Sequence, residues 1–344
     1  MKTRITKGWR DGVLGIGKDV GIVIGRFQPF HKGHEYLIKE AVKENDYVIV
    51  LIGSAKKARD IKNPWTVEER AIMLNNIALY NDIRETQIRY AGIEDFYDDD
   101  KWLKQVQAKI RPYVTKEDNV TLYGYKKDDS SYYLELFPSW KFKETYNEKY
   151  DIDATTVREY LFHDTLIDDI LPVGVLRYIK NWIRSEEFSQ LKEEFKYIQE
   201  YKKKFKDLQY EPVFTTVDAV ITYKGKVFIM ERTAEPGNHL LCLPGGFINN
   251  NKKLIDNMID IVENKTKIRI TDKNWIKDVK VIDDPKRSLR GRIITHIFKV
   301  EIPTQYKLNI DGNFKGQWMD FDDIELYEDQ FFEDHALILK SFIT

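Results

Sequence analysis

The sequence predicts an α/β protein of two domains: an N-terminal doubly wound parallel-sheet domain over 20–183, a linker helix over 184–210 and a C-terminal α+β domain over 211–344. Three observations predict this. Residues 20–125 alternate apolar runs (VGIVIG, DYVIVLIG, IRYAGI, NVTLYGY) with segments of helical period, as a parallel βαβ sheet requires. Beyond Pro212 the apolar period drops to two, in TTVDAVITYKGKVFIME. Between these regions, Phe188, Leu191, Phe195, Ile198 and Phe205 fall on one face of a charged helix that Pro212 closes.

Each element has its own local signal. HEYLIKEAVKEN carries apolar residues at Tyr36, Leu37, Ala41 and Val42, a helical spacing. TVEERAIMLNNIALY opens on Thr66 with Glu69 three residues on, a capping box. DDDKWLKQVQAKI makes the next helix, and 154–183 is helical in pattern. In the second domain Lys224-Gly225 marks a hairpin turn, LCLPGGFI a loop, 252–266 a helix, and VKVIDD and ITHIFKVEI further strands.

Composition excludes several classes of function. Lys+Arg 55 against Asp+Glu 56 leaves net charge −1, so no basic field argues for nucleic acid. The tract YKKKFK reads as a solvated helix face. The single cysteine, Cys242, rules out an intramolecular disulfide and suits a reducing, cytoplasmic setting. No apolar run reaches the ~18 residues of a membrane span, and residues 1–19 lack a signal-peptide core. The sequence leaves a homo-oligomer open.

Chemistry concentrates in GRFQPFHKGH, residues 25–34. A tight turn from a parallel strand into a helix aims backbone N–H groups and the positive helix end at one point, which suits phosphate. Gly25 and Gly33 allow close approach, and Pro29 stiffens the turn. His31 and His34, at the helix start, are placed to donate to phosphate oxygens and so stabilise a phosphoryl group in transfer.

This string resembles the GxFxPxHxGH signature of the nucleotidylyltransferase superfamily. A second superfamily signature, (I/V)-S-x-T-x-(I/V)-R, is similar to residues 152–158, IDATTVR; Thr155 and Arg158 match, and Asp153 stands at the serine position. Arg26 together with KNPWTVEER (62–70) resembles the nicotinamide mononucleotide (NMN) adenylyltransferases of the archaeal type and their bacterial relatives. The resemblance implies a Rossmann-like domain that makes NAD and pyrophosphate from ATP, with its Mg²⁺, and NMN. It implies His31, His34 and Arg158 as catalytic. It implies Gly25, Arg26, Phe27, Gly33, Asn63, Trp65, Arg70, Trp102, Gly124, Lys127, Asp128, Ser130 and Thr155 as substrate-binding, with Trp102 stacking on the nicotinamide ring. A phosphopantetheine substrate is the runner-up, against which Arg26 and NPWT argue.

LPGGFI followed by a helix resembles the Nudix fold, and the whole of 20–344 resembles fused adenylyltransferase–Nudix proteins whose second substrate is ADP-ribose. The Nudix box is degenerate. With its first Gly at Gly246, its glutamate positions hold Lys252, Ile261, Asn264 and Lys265, where Mg²⁺ ligands are needed. Asp256, Asp260 and Glu263 share a helix face that reads as solvated; Glu263 is the one weak candidate metal ligand. Gly245, Gly246, Arg287, Arg290 and Arg292 are candidates for holding an ADP-ribose diphosphate. Three readings follow: a second domain that no longer hydrolyses, a bifunctional enzyme that still splits ADP-ribose, or a non-catalytic ADP-ribose or NAD sensor.

Overall fold

The first sheet is built from β1 (Asp19–Gly25), β2 (Tyr47–Ile52), β3 (Ile88–Gly92), β4 (Asn119–Gly124) and β5 (Lys141–Glu144), all parallel, in the order β3-β2-β1-β4-β5. The computed structural model describes residues 17–126, 129–150, 152–165, 168–304 and 315–343; Lys127, Asp128 and the side chain of Ser130 lie outside these. The alternation of β2 sends Val48, Val50 and Ile52 to one core and Ile49 and Leu51 to another. On the first face lie α1 (Lys32–Glu44), α2 (Val67–Tyr80), α4 (Ala154–Phe162) and α5 (Val173–Trp182); α3 (Asp99–Ile110) covers the second through Val106 and Ile110. Strand order reverses between β1 and β4, so a crevice opens at their carboxyl ends. The capping box forms: Thr66 Oγ1 accepts from the Glu69 N–H, and Glu69 Oε2 accepts from the Thr66 N–H. A cap of this kind stabilises a helix by about 1 kcal/mol.

Two elements differ from expectation. Strand β5 reads KFKE and is exposed throughout, so it carries no apolar signal; it forms because β4 offers an open edge. The expected linker, α6 (Glu186–Lys203), packs back onto the first domain and adds Phe188, Leu191 and Phe195 to that core. Tyr201 near its end, and Phe205 just beyond it, meet Phe214 of the second domain at 6.1 and 5.1 Å.

The second sheet contains β6 (Val213–Tyr223), β7 (Lys226–Glu231), β8 (Leu241–Cys242), β9 (Gly245–Phe247), β10 (Ile276–Ile282), β11 (Arg292–Glu301) and β12 (Gly316–Asp320). It is mixed: β6 and β11 run parallel, whereas β6 and β7 form the expected hairpin. Lys224 (φ 43°) and Gly225 (φ 78°) both adopt the left-handed region that such a two-residue turn demands. Helix α7 (Leu254–Thr266) buries Met258 and Val262 with Val217, Ala219 and Ile221 of β6, and α8 (His335–Ile343) buries Ile338 and Leu339 with Val220 on the opposite face. Among the described residues no helix is long and apolar enough to cross a membrane.

The domains meet where the GSAKKA loop after β2 faces the segment before α8. Lys56 pairs with Glu94 (3.0 Å) and Glu328 (3.4 Å), and Lys340 pairs with the same two carboxylates at 3.2 and 2.5 Å. The four charges close a ring across the boundary; isolated surface pairs contribute little, but a partly buried ring fixes orientation.

Candidate active site

The turn between β1 and α1 assembles the histidine pair. His31 is the N-cap of α1, and its imidazole stacks on that of His34 with centroids 3.6 Å apart. Phe27 and Phe30 stack on each other at 4.3 Å, and both meet His34 edge-on. Gly33 is required by space, since a Cβ there would come 2.7 Å from the carbonyl of Tyr150 and 3.0 Å from the His31 ring. The N–H of His31 donates to Nδ1 of His34 (3.3 Å). An accepting Nδ1 leaves the proton of a neutral imidazole on Nε2, so His34 presents an N–H donor. Burial, reinforced by His31, holds His34 well below its ordinary 6.5 and keeps it neutral.

Two buried arginines brace this turn. Arg158 reaches from α4 to the carbonyl of Gln28 (2.6 Å), and its other amino group donates to Thr155 Oγ1 at 3.0 Å. Burial, then the proximity of Arg26, lowers its pKa to about 10, so it remains charged at neutral pH. Asp153 caps α4 by accepting from the Thr155 N–H (3.0 Å), so the serine-to-aspartate departure keeps the cap. Arg70, 1% exposed, donates to the carbonyls of Thr66, Arg26, Gly53 and Ser54 at 2.6–3.2 Å. Gln28 brackets Trp65 with two backbone bonds, at 2.8 and 3.1 Å.

Beside the turn lies a cavity of about 350 Å3, within the range of nucleotide-sized sites. Arg26, Asn63 and Trp102 line it, with Ser54, Lys57 and Lys62; His31, His34 and Arg158 do not. Trp102 rests against Tyr133 (6.0 Å) and Phe137 (5.9 Å) while reaching the cavity. Arg26 joins the two regions: it lines the cavity, and its charge depresses the pKa values of Lys62 and Arg158, after the effect of burial.

In the second domain, Lys265 Nζ donates to the carbonyl of Gly245 at 2.5 Å, so an ammonium occupies the space under the glycine loop. The residues present do not fit a divalent ion. Lys252 pairs with Asp260, and Glu263 is held by Arg269 at 2.9 Å. Gly245 admits no side chain: a Cβ would lie 1.7 Å from Asp218 Oδ1. Arg290 bonds Ser288 (3.3 Å) and Glu333 (3.4 Å) and lies 5.6 Å from the rings of Phe247 and Phe332.

Residues 22–159 match the cytidylyltransferase-like family. A nicotinamide/nicotinic acid mononucleotide adenylyltransferase of Acinetobacter baylyi is 36% identical over 178 residues, 52% of this chain and 94% of that protein. The chain belongs to the nicotinamide mononucleotide adenylyltransferase family. A nicotinamide-nucleotide adenylyltransferase of Methanococcus maripaludis is 29% identical over 46% of the chain and 86% of its own length. The adenylyltransferase fold accounts for only the first half. A solved structure spans both halves: that of a bifunctional NMN adenylyltransferase/ADP ribose pyrophosphatase from Francisella tularensis, complexed with AMP and Mn ion. It is 27% identical, has a TM-score of 0.88, and covers 95% of this chain and 98% of its own. The second domain is accordingly Nudix-like.

The structure reassigns several residues within this adenylyltransferase frame. Trp65 is 1% exposed and packs on Trp182 (4.9 Å), and Phe27 is 2% exposed beneath His34; neither ring faces the cavity. With four carbonyls on its guanidinium, Arg70 positions the turn. Gly25 and Gly124 end β1 and β4 at the crevice. Arg287 is consumed by a buried bidentate pair with Asp334 (2.8 and 2.8 Å), and Arg292 is turned to Asp283, so neither is free for a diphosphate. Sequence reasoning missed Ser54, Lys57 and Lys62 as lining residues; Ser54 and Lys57 directly follow the apolar run DYVIVLIG, whose carboxyl end is the one signal for these two.

Proposed function

We propose that the first domain joins ATP, as its divalent-metal complex, to nicotinamide mononucleotide. An oxygen of the mononucleotide's 5′-phosphate forms a bond to the α-phosphorus, the bond from that phosphorus to the bridging oxygen breaks, and pyrophosphate departs with the bonding electrons. The product is NAD. No protein nucleophile is needed, so positioning and charge stabilisation carry the catalysis. The observation that supports this reading most is the His31 N–H bond to His34 Nδ1, which leaves the proton of the neutral ring on Nε2 as a donor at the start of α1. Arg158, fixed on the Gln28 carbonyl of the same turn, supplies positive charge. Arg26 suits the phosphate of the mononucleotide, and Trp102 stacks on its cationic ring.

The Nudix-like domain, on this reading, does not hydrolyse ADP-ribose, because Lys265 occupies the loop with its own charge while Lys252 and Ile261 bring no carboxylate. Both halves are tested in one preparation, by assaying NAD formation from ATP and NMN beside ADP-ribose hydrolysis with Mg²⁺ and Mn²⁺ titrated. NAD formation without hydrolysis is expected. Metal-dependent hydrolysis lost in Glu263→Gln overturns the reading of the second domain, and absent NAD formation overturns that of the first.

A further inference from the structure

The cavity of the adenylyltransferase domain is not bounded by that domain alone. Arg26, Asn63 and Trp102 form one side; Lys286, Leu289 and Leu337, from the Nudix-like domain, form the other. We propose that the second domain is a wall of the mononucleotide site, with Lys286 recognising the negative charge of the mononucleotide. This rests on the adenylyltransferase reading above and deepens it.

The charges around the cavity support a role for Lys286. Of the six lining carboxylates, two are paired with arginines and the others are held by neutral donors. Asp334 is paired with Arg287, Glu333 with Arg290 and Ser288, Asp60 with backbone and side-chain N–H groups of residues 62 and 63, and Asp95 with Ser54. Arg26 and Lys286 have no ion-pair partner among the described residues, and Lys286 is exposed. Lys57 and Lys62 likewise have none, so cations without an ion-pair partner among the described residues reach the cavity from both domains. A mononucleotide brings a phosphate for such charges and a ring for Trp102.

The wall is also held rigidly. Tyr97 lines the cavity from the first domain, and its hydroxyl donates to Asp334 Oδ2 at 2.5 Å. That carboxylate is gripped by Arg287, with side-chain exposures of 3% and 4% for the two. Burial opposes ionisation of Asp334, and Arg287 outweighs it, so the carboxyl lies below its ordinary range. Next to it Glu333 adopts φ 48°, a left-handed conformation costly for a non-glycine, and its carbonyl receives Lys57 Nζ at 3.4 Å. Side chains and backbone of one short segment thus reach both domains, and Tyr97 acts as a positioning residue for the wall.

The experiment uses the full chain, with initial rates of NAD formation read against NMN at saturating ATP and against ATP at saturating NMN. Lys286→Glu is expected to raise the KM for NMN by about fivefold or more, with the KM for ATP nearly unchanged and an effect that shrinks as salt is added. Lys286→Arg should keep the parent KM. Tyr97→Phe, which removes one hydrogen bond from a partly exposed ring, should raise the KM for NMN about two- to threefold with kcat retained. An unmoved KM in Lys286→Glu, or equal impairment by Lys286→Arg, overturns the proposal while leaving NAD synthesis standing. Failure of the parent to make NAD at all removes the adenylyltransferase reading and this one with it.

Discussion

The N–H of His31 donates to Nδ1 of His34 across 3.3 Å, so one histidine fixes the tautomer of the other. We expect His34→Ala to lower kcat by on the order of 10²-fold or more, because a preorganised transition-state donor is lost. Steady-state kinetics check this; a kcat within a few-fold of the parent removes the role.

The same bond has a pH consequence. The folded pKa of His34 lies well below the ordinary 6.5, through burial and then His31, so the ring is already neutral above that value. Between the lowered folded pKa and 6.5, the unfolded chain binds a proton that the folded chain does not. The contribution of His34 to stability therefore rises with pH across that window and is complete above it. The kcat–pH profile should show no limb near 6.5 from His34; such a limb, abolished in His34→Gln, would contradict a neutral donor.

Arg70 donates to four carbonyls around the turn. Arg70→Met leaves those carbonyls without their charged donor, and a loss of about 3 kcal/mol or more is expected from buried groups left unsatisfied. Urea denaturation measures it. A midpoint equal to the parent's would mean that the turn holds itself.

Trp102 rests on Tyr133 and Phe137 and opens on the cavity. Trp102→Ala should raise the KM for NMN about tenfold, the worth of a stacked cationic ring, and barely change that for ATP. Equal losses for both substrates would instead indicate a collapsed helix α3.

Glu194 is 6% exposed on α6. Burial first, then Asp60, pushes its carboxyl up to about 9. From about 4.5 to 9 the folded chain holds a proton that the unfolded chain has released, so stability falls as pH rises through that range. Glu194→Gln should remove this slope and raise Tm by a few °C at pH 9, with little change at pH 5. Parallel Tm–pH curves for parent and variant would show that the carboxyl is solvated.

Much of the fold was legible because its signals are local. Apolar runs marked the buried strands β1, β2 and β4, Thr66 and Glu69 marked a helix start, and Lys224-Gly225 marked a hairpin. Strand β5 was not legible, since KFKE shows no burial; only the edge of β4 makes it a strand. The histidine motif was equally local: its residues lie within one turn, and their spacing alone brings the two rings together.

What the sequence by itself determined was therefore the pair of domains, the histidine-bearing turn after β1 and the loss of carboxylates from the Nudix box. Tertiary structure alone decided what the long side chains do. Trp65, Arg70 and Arg287 have residue types that suit substrates, but burial hands them to Trp182, to four carbonyls and to Asp334. Tyr97 and Asp334 are 237 positions apart, so no spacing rule connects them. The physical reason is range: periodicity and caps act over a few residues, whereas a buried charge takes whichever partner the packed core brings within hydrogen-bonding distance.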